Sequence, residues 1–353
     1  MTLRSEALAR SGGGRLVAPT IMLCVVLGIA GLLIVMALAI AIGEIVIPVD
    51  VIVKTIANKL FGVRYALDPI QEGIVWNYRL SRTVIAACAG TALALSGAIL
   101  QALLRNPLAE PYVLGISAGA STGAVAIAIL GLGGGFVTMP LGAFVGAVAA
   151  FGLVTLLSIG SGTTTDRIVL SGVAGSQLFN ALTAYIVTTS ANAEQARGIM
   201  FWLLGSLGGV RWPDVGLAAP IAIGGTALCM WHARSLDAFT FGSDAAASLG
   251  VAVQRVRVVL FGLTALMTAV MVSLVGSIGF VGLVIPHAVR FLTGPKHEYL
   301  LPASAIAGAI FMVLADLTSR IIIPQQVLPI GVVTALVGAP AFAVILCRTR
   351  AAA

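Results

Sequence analysis

Apolar runs of roughly twenty residues recur along the whole chain and are separated by short polar stretches. A bilayer core about 30 Å thick is crossed by about 20 residues of helix, so each run predicts a membrane span. The first covers 20–42 and follows Arg4, Arg10 and Arg15. It is too long for the apolar part of a signal peptide and predicts a retained span. Further runs fall at 84–104, 112–130, 137–159, 168–189, 215–232, 256–277, a shorter piece at 278–292, then 300–321 and 329–347. The pattern predicts an all-α polytopic membrane protein of about ten transmembrane helices.

Two segments break the pattern. Residues 44–78 mix Pro48, Asp50, Lys54, Lys59, Arg64, Asp68 and Glu72 with periodic apolar positions, which predicts helices lying on the outer surface. Residues 193–207 are apolar but short, and predict a re-entrant or surface helix. Trp76, Trp202, Trp212 and Trp231 fall near span ends or in that segment, where aromatic side chains anchor to the interface.

Composition agrees with lipid as the main solvent. Of 353 residues, 59% are hydrophobic and 9% charged, against about a quarter charged in soluble domains. That excludes an ordinary soluble enzyme, a disulfide scaffold and a disordered adaptor. The net charge of +7 comes without any Lys/Arg block, so a membrane-loop excess explains it and nucleic acid is not an expected partner. Ten spans put both termini on one side. With that side cytoplasmic, twelve basic residues lie inside and eight outside, which follows the positive-inside bias. The chain then divides into a cytoplasmic tail 1–19, one transmembrane domain 20–347 and a cytoplasmic tail 348–353.

Several chemistries are missing. None of Lys54, Lys59 and Lys296 follows a glycine as a P-loop lysine does, so the chain has no ATPase site of its own. His232, His287 and His297 lack metal-site spacing, and Cys24, Cys88, Cys229 and Cys347 are far apart. No cofactor and no resident metal are expected. Asp316 stands out as an ionisable residue in a span. It lies four positions before Arg320, and reads either as a local ion pair or as a proton relay in an ion-coupled secondary transporter. The scarcity of such groups argues that transport energy comes from another subunit.

Between the sixth and seventh runs, Ser243 or Asp244 can cap a short helix, Ala245 to Leu249 extend it and Gly250 end it. This is either a plain connector or a rigid knob. At 106–108, Pro107 interrupts the helical pattern, and non-helical backbone at membrane depth survives only where buried or lining a cavity. Gly115, Gly119, Gly123, Gly142 and Gly146 read as close helix packing.

Longer motifs carry a resemblance. Arg79-Leu-Ser-Arg82-Thr, Gly97-Ala-Ile-Leu-Gln101, Asn106-Pro-Leu-Ala-Glu-Pro111 and Gly115-Ile-Ser-Ala-Gly119 come first. Gly276-Ser-Ile-Gly-Phe-Val-Gly-Leu-Val-Ile-Pro-His287 with Arg290, Leu314-Ala-Asp316 with Arg320, and Leu328-Pro-Ile-Gly follow in order. Together they resemble the FecCD/BtuC-type permeases, membrane subunits of ABC importers for iron-siderophores, haem and cobalamin.

The resemblance implies a BtuC-like, type II importer fold in a bacterial inner membrane. It also implies a second permease copy or paralogue, two ATPase subunits carrying ATP and Mg, and a periplasmic or lipid-anchored substrate-binding protein. Residues 235–250 would be the coupling segment that docks on the ATPase, with Phe241, Gly242, Ser243, Asp244, Ala245, Ala246, Leu249 and Gly250 at the contact. Arg79, Arg82 and Arg320 would grip carboxylates of the binding protein, although each alone reads more readily as a lipid-headgroup anchor. Asn106, Pro107, Leu108, Thr164 and Thr165 would form the cytoplasmic gate, with Thr164 alternatively a helix cap. The expected cargo is an iron-siderophore, with haem and cobalamin as alternatives.

Overall fold

The computed structural model describes residues 23–43, 45–132, 134, 136–160 and 165–351. Its secondary structure is helical, apart from one isolated bridge between Ile323 and Gln326. The first helix, α1, spans Leu23–Ala41. It is followed by α2 (Val49–Phe61), α3 (Pro69–Gly73) and α4 (Ser81–Leu103), with a π-helical turn at Ile74–Leu80 joining α3 to α4. Then come α5 (Ile116–Leu130), α6 (Met139–Gly160), α7 (Thr165–Ser190), α8 (Ala193–Leu203) and α9 (Trp212–Trp231). The chain ends with α10 (Ala233–Phe239), α11 (Ser243–Ser248), α12 (Val253–Val275), α13 (Val281–Thr293), α14 (His297–Ile321) and α15 (Ile330–Ala351).

Helices occupy all ten predicted runs. Among the described residues, six are long and apolar enough to cross a bilayer, and α5, α13 and the apolar part of α15 are shorter. The protein is a multi-pass membrane protein. Three boundaries differ from the sequence pattern by four residues or more. The second span begins far earlier, because α3, the π-turn and α4 form one continuous 35-residue helix, Pro69–Leu103. The third starts four residues late, because Pro111–Leu114 is a 3-10 turn ending at Gly115, whose φ of 75° suits a residue without Cβ. The last helix continues past residue 347 to Ala351.

The central element is α4. Most of its residues are buried, and it packs against α9, α12, α13 and α14. Its close neighbours meet it at glycines: a Cβ on Gly90 would overlap the backbone of Gly308, and one on Gly97 the backbone of Gly282. Small residues let backbones approach where lipid supplies no hydrophobic drive between helices. A second layer, α5 against α6, is joined the same way, Gly119 and Gly123 facing Gly146 and Gly142.

The outer segment expected at 44–78 forms α2 and α3. Ile40, Ile47, Ile52 and Val75 bury together beneath it. On the surface of α2, Lys54 stands 3.0 Å from Asp50 and, with its hydrogen bond, holds that carboxyl below the usual carboxylate range. The 193–207 segment forms α8, entered through a capping box in which Asn192 and Gln195 satisfy each other's backbone N–H.

Candidate functional site

Three interruptions of the helical pattern meet inside the protein. The first lies between α4 and α5, the second between α8 and α9, and the third between α12 and α13. Non-helical backbone in a bilayer must satisfy its polar groups internally, and here the breaks satisfy one another. Tyr112 Oη donates to Ile278 O (2.8 Å) and accepts from Ile278 N–H (2.7 Å). Ser117 Oγ donates to Ser277 Oγ at 2.8 Å. Ser206 N–H reaches Val275 O, and Ile330 N–H at the start of α15 reaches Gly205 O. Gly205 and Gly276 both have φ near 80°, and each sits against backbone of the other's segment.

Beside this junction lies a cavity of about 610 Å³. Tyr112, Ser117, Ser121, Ser176, Asn180 and Ser277 contribute hydroxyl and amide groups, and Ala118, Ala184 and Val187 contribute apolar surface. Such a lining is mostly apolar, carries no fixed charge and leaves few hydrogen bonds free, since the Tyr112 hydroxyl is committed to Ile278 and Ser117 is bonded to Ser277. It can hold a polar solute weakly and release it.

On the ATP-motor side expected for the permease, residues 106–108 form a tight turn. Asn106 N–H donates to Gln101 O, and Asn106 Oδ1 accepts from Leu108 N–H at 2.9 Å. Pro107 and Leu108 are exposed. Thr164 lies outside the described residues, as does the side chain of Thr165, whose backbone opens α7.

Gln101 fixes this turn to α13. Pro286 has no N–H, so the carbonyl of Gly282 lacks its helical partner. The Gln101 amide donates to that carbonyl at 3.2 Å and also approaches Leu283 O at 3.4 Å. Arg290 Nη2 donates to Gln101 Oε1 at 3.2 Å. Gln101 and Arg290 carry the resemblance motifs, but sequence reasoning gave neither a role. The unpaired carbonyl created by Pro286 four residues after Gly282 was the available signal.

The 235–250 segment is two helices rather than one. The seven-residue helix α10 precedes the knob helix α11, which starts at Ser243 and ends at Ser248. Ser243 is therefore helical, and not the cap expected from the sequence. Its hydroxyl accepts from Arg257 Nη2 at 3.0 Å. Gly242 precedes it with φ 104° and ψ 164°, a region reserved for glycine. Gly250 closes the knob in the left-handed region. Phe241, Asp244, Leu249 and Gly250 are exposed, Ala245 is half-buried and Ala246 is buried.

The outer arginines depart from expectation. Three outward-facing forks were expected at Arg79, Arg82 and Arg320, yet all three are buried, at 5%, 3% and 9% exposure. Arg82 Nε lies 2.6 Å from Asp316 Oδ1, and Arg320 Nε 3.1 Å from Asp316 Oδ2. Arg320 also donates to Ala39 O and Ile42 O. Arg79 donates to Ile40 O and Ala41 O at the end of α1 and to Ile45 O in the connection after it. A buried guanidinium needs acceptors for its donors; the end of α1, the connection after it and Asp316 supply them for Arg79 and Arg320, while Arg82 Nη1 finds none among the described residues. These forks hold the end of the bundle together. The Asp316–Arg320 contact is the local ion pair anticipated from their spacing.

Among the described residues, no three His, Cys, Asp or Glu side chains gather where a metal could be held. The four cysteines are free thiols.

Known proteins are similar along almost the whole chain. The model of the FecCD transport family matches residues 31–348. The cobalamin import system permease protein BtuC of Halobacterium salinarum is 39% identical over 291 residues, 80% of this chain and 76% of that protein. The Fe(3+) dicitrate transport system permease protein FecD of Escherichia coli is 38% identical over 277 residues, 78% of this chain and 86% of its own. A solved metal-chelate-type ABC transporter in an inward-facing conformation superimposes with a TM-score of 0.80 at 29% identity, covering 94% of this chain and 99% of that one. With the ordered motifs and the shared fold, these matches establish that the chain belongs to the FecCD transport family, the permease subunits of ABC importers.

Proposed function

We propose that the chain is the permease of an importer for a metal chelate, with an iron-siderophore as the leading cargo. Two chains, or this chain and a paralogue, flank a central path in a bacterial inner membrane, with both termini in the cytoplasm. Two ATPase subunits bind inside and hydrolyse ATP with Mg, and a substrate-binding protein delivers cargo outside. The observation that carries the reading is the junction of helix breaks at Tyr112, Ser277 and Gly205 beside a neutral, mostly apolar cavity. FecD and BtuC are named for ferric dicitrate and cobalamin, both large metal chelates, and a weakly binding lining suits such solutes.

The binding protein docks at the end of the bundle stapled by Asp316. Because the three expected forks are committed there, we assign docking contacts to exposed cations around them. Arg211 lies 5.9 Å over the Tyr78 ring, and Arg197 lines an outer groove with Gln326 and Val327. On the inner end, α11 presents Phe241, Asp244 and Leu249 to the ATPase.

Vesicles reconstituted with the chain, its ATPase and its binding protein test this. Uptake of a ferric hydroxamate, of haem and of cobalamin is measured in parallel. The reading expects ATP-dependent uptake of one of them, lost when either partner is omitted. Uptake by the chain alone, driven by an ion gradient, would falsify it.

A further inference from the structure

The knob α11 and the turn at 106–108 lie against each other through one side chain. The Arg105 guanidinium comes within 3.5 Å of the place a Cβ on Gly242 would occupy. Gly242 has no side chain, its backbone takes a conformation closed to other residues, and the Arg105 guanidinium lies beside it. The same end of the knob is held separately, by Arg257 of α12 on Ser243. The N-terminal end of the knob thus meets two arginines, one from the turn after α4 and one from α12.

Arg105 is also where α4 gives way. Its φ is 49°, in the left-handed region that few non-glycine residues enter. Upstream the chain is immobilised: Gln101 is 4% exposed, its side chain is tied to Gly282, Leu283 and Arg290, and its carbonyl accepts from Asn106 N–H. Downstream, Pro107 and Leu108 are exposed and the turn is closed locally by the Asn106 side chain. Arg105 therefore stands between a fixed α4 upstream and a turn that is joined to it through Asn106 N–H on Gln101 O.

We propose that Arg105 is a positioning residue that carries displacement of the α11 knob into the 106–108 turn. This rests on the ATPase-driven reading above. Arg105 touches neither cargo nor nucleotide. It sets where the turn stands for each position of the knob.

The test uses the full complex of permease, ATPase and binding protein, with the four native cysteines replaced and Leu108→Cys introduced. The probe is a membrane-impermeant maleimide, and the labelling rate is compared without nucleotide and with ATP plus vanadate. With Arg105 present, the two rates differ by about fivefold or more, a usual size for coupling between sites. Arg105→Ala is expected to collapse that difference while the ATPase still co-purifies, and Arg105→Lys, which keeps the charge and reach, is expected to restore most of it. A full nucleotide response in Arg105→Ala with the ATPase bound overturns the inference and leaves the importer reading standing. If the Arg105 chain itself neither retains the ATPase nor responds to nucleotide, the importer reading falls and takes the inference with it.

Discussion

Arg82 and Asp316 are 234 positions apart in sequence, yet Arg82 Nε stands 2.6 Å from Asp316 Oδ1 with both side chains almost wholly buried. The second carboxylate oxygen is taken by Arg320, so one acid joins α4 to α14 and organises two guanidiniums. Arg79 completes the cluster by holding the end of α1 through backbone carbonyls.

Removing one partner of such a pair leaves an uncompensated buried charge. Asp316→Ala should therefore destabilise the protein by about 3–5 kcal/mol, read by denaturant unfolding in detergent. Arg320→Ala should cost less, because Arg82 still neutralises the acid. An equal loss in both variants would show that Asp316 acts through Arg320 rather than as the joint between helices.

The Gln101–Gly282 contact predicts a non-additive pair. Gln101→Ala strands the Gly282 carbonyl and the Arg290 donor, at a cost of about 1–3 kcal/mol. In a Pro286→Ala background the helix supplies its own N–H to Gly282, so the same Gln101→Ala change should cost distinctly less. Denaturation of the four proteins of this cycle measures the difference; strict additivity would remove the proposed reason for the glutamine.

Much of this arrangement was legible in the sequence, and the illegible parts share a cause. The short α13, the break at 106–108 and the knob ending at Gly250 are local, written in proline, glycine and run length. Glycines on α5 and α6 announced close packing. The start of the second span was not legible, because Arg79 and Arg82 read as a surface end. Asp316, far along the chain, makes Arg82 tolerable inside, and carbonyls at and after the end of α1 do the same for Arg79. Likewise nothing local to Tyr112 says that its hydroxyl will serve both polar groups of Ile278. Long-range satisfaction of buried polar groups decides these cases, and hydropathy does not encode it.

The glycine crossings differ sharply in tolerance. Gly97→Ala would drive a methyl into the Gly282 carbonyl, and neither backbone can retreat without moving α4 or α13. Overpacking of this kind costs about 1–3 kcal/mol or more. Gly152, within α6, has open space where a Cβ would go, so Gly152→Ala should be neutral or gain up to about 1 kcal/mol from helix propensity. Purified yield and thermal unfolding of the two variants, side by side, check the contrast.

The coupling arm is tied to the membrane bundle at its other end by one carboxylate. Asp237 Oδ1 on α10 accepts from the backbone N–H of His297 at 2.8 Å and meets its ring Nδ1 at 2.7 Å. The first bond satisfies an orphan donor at the start of α14, as an N-cap does, and the second holds a buried ring. Asp237→Ala loses both, whereas His297→Ala keeps the cap. The first should therefore cost about 1 kcal/mol more than the second in unfolding free energy, the usual worth of a cap. Asp237→Asn retains an acceptor for the N–H and should fall between them. If His297→Ala proves as damaging as Asp237→Ala, the ring contact alone joins α10 to α14, and the capping bond contributes nothing to the tie between knob and bundle.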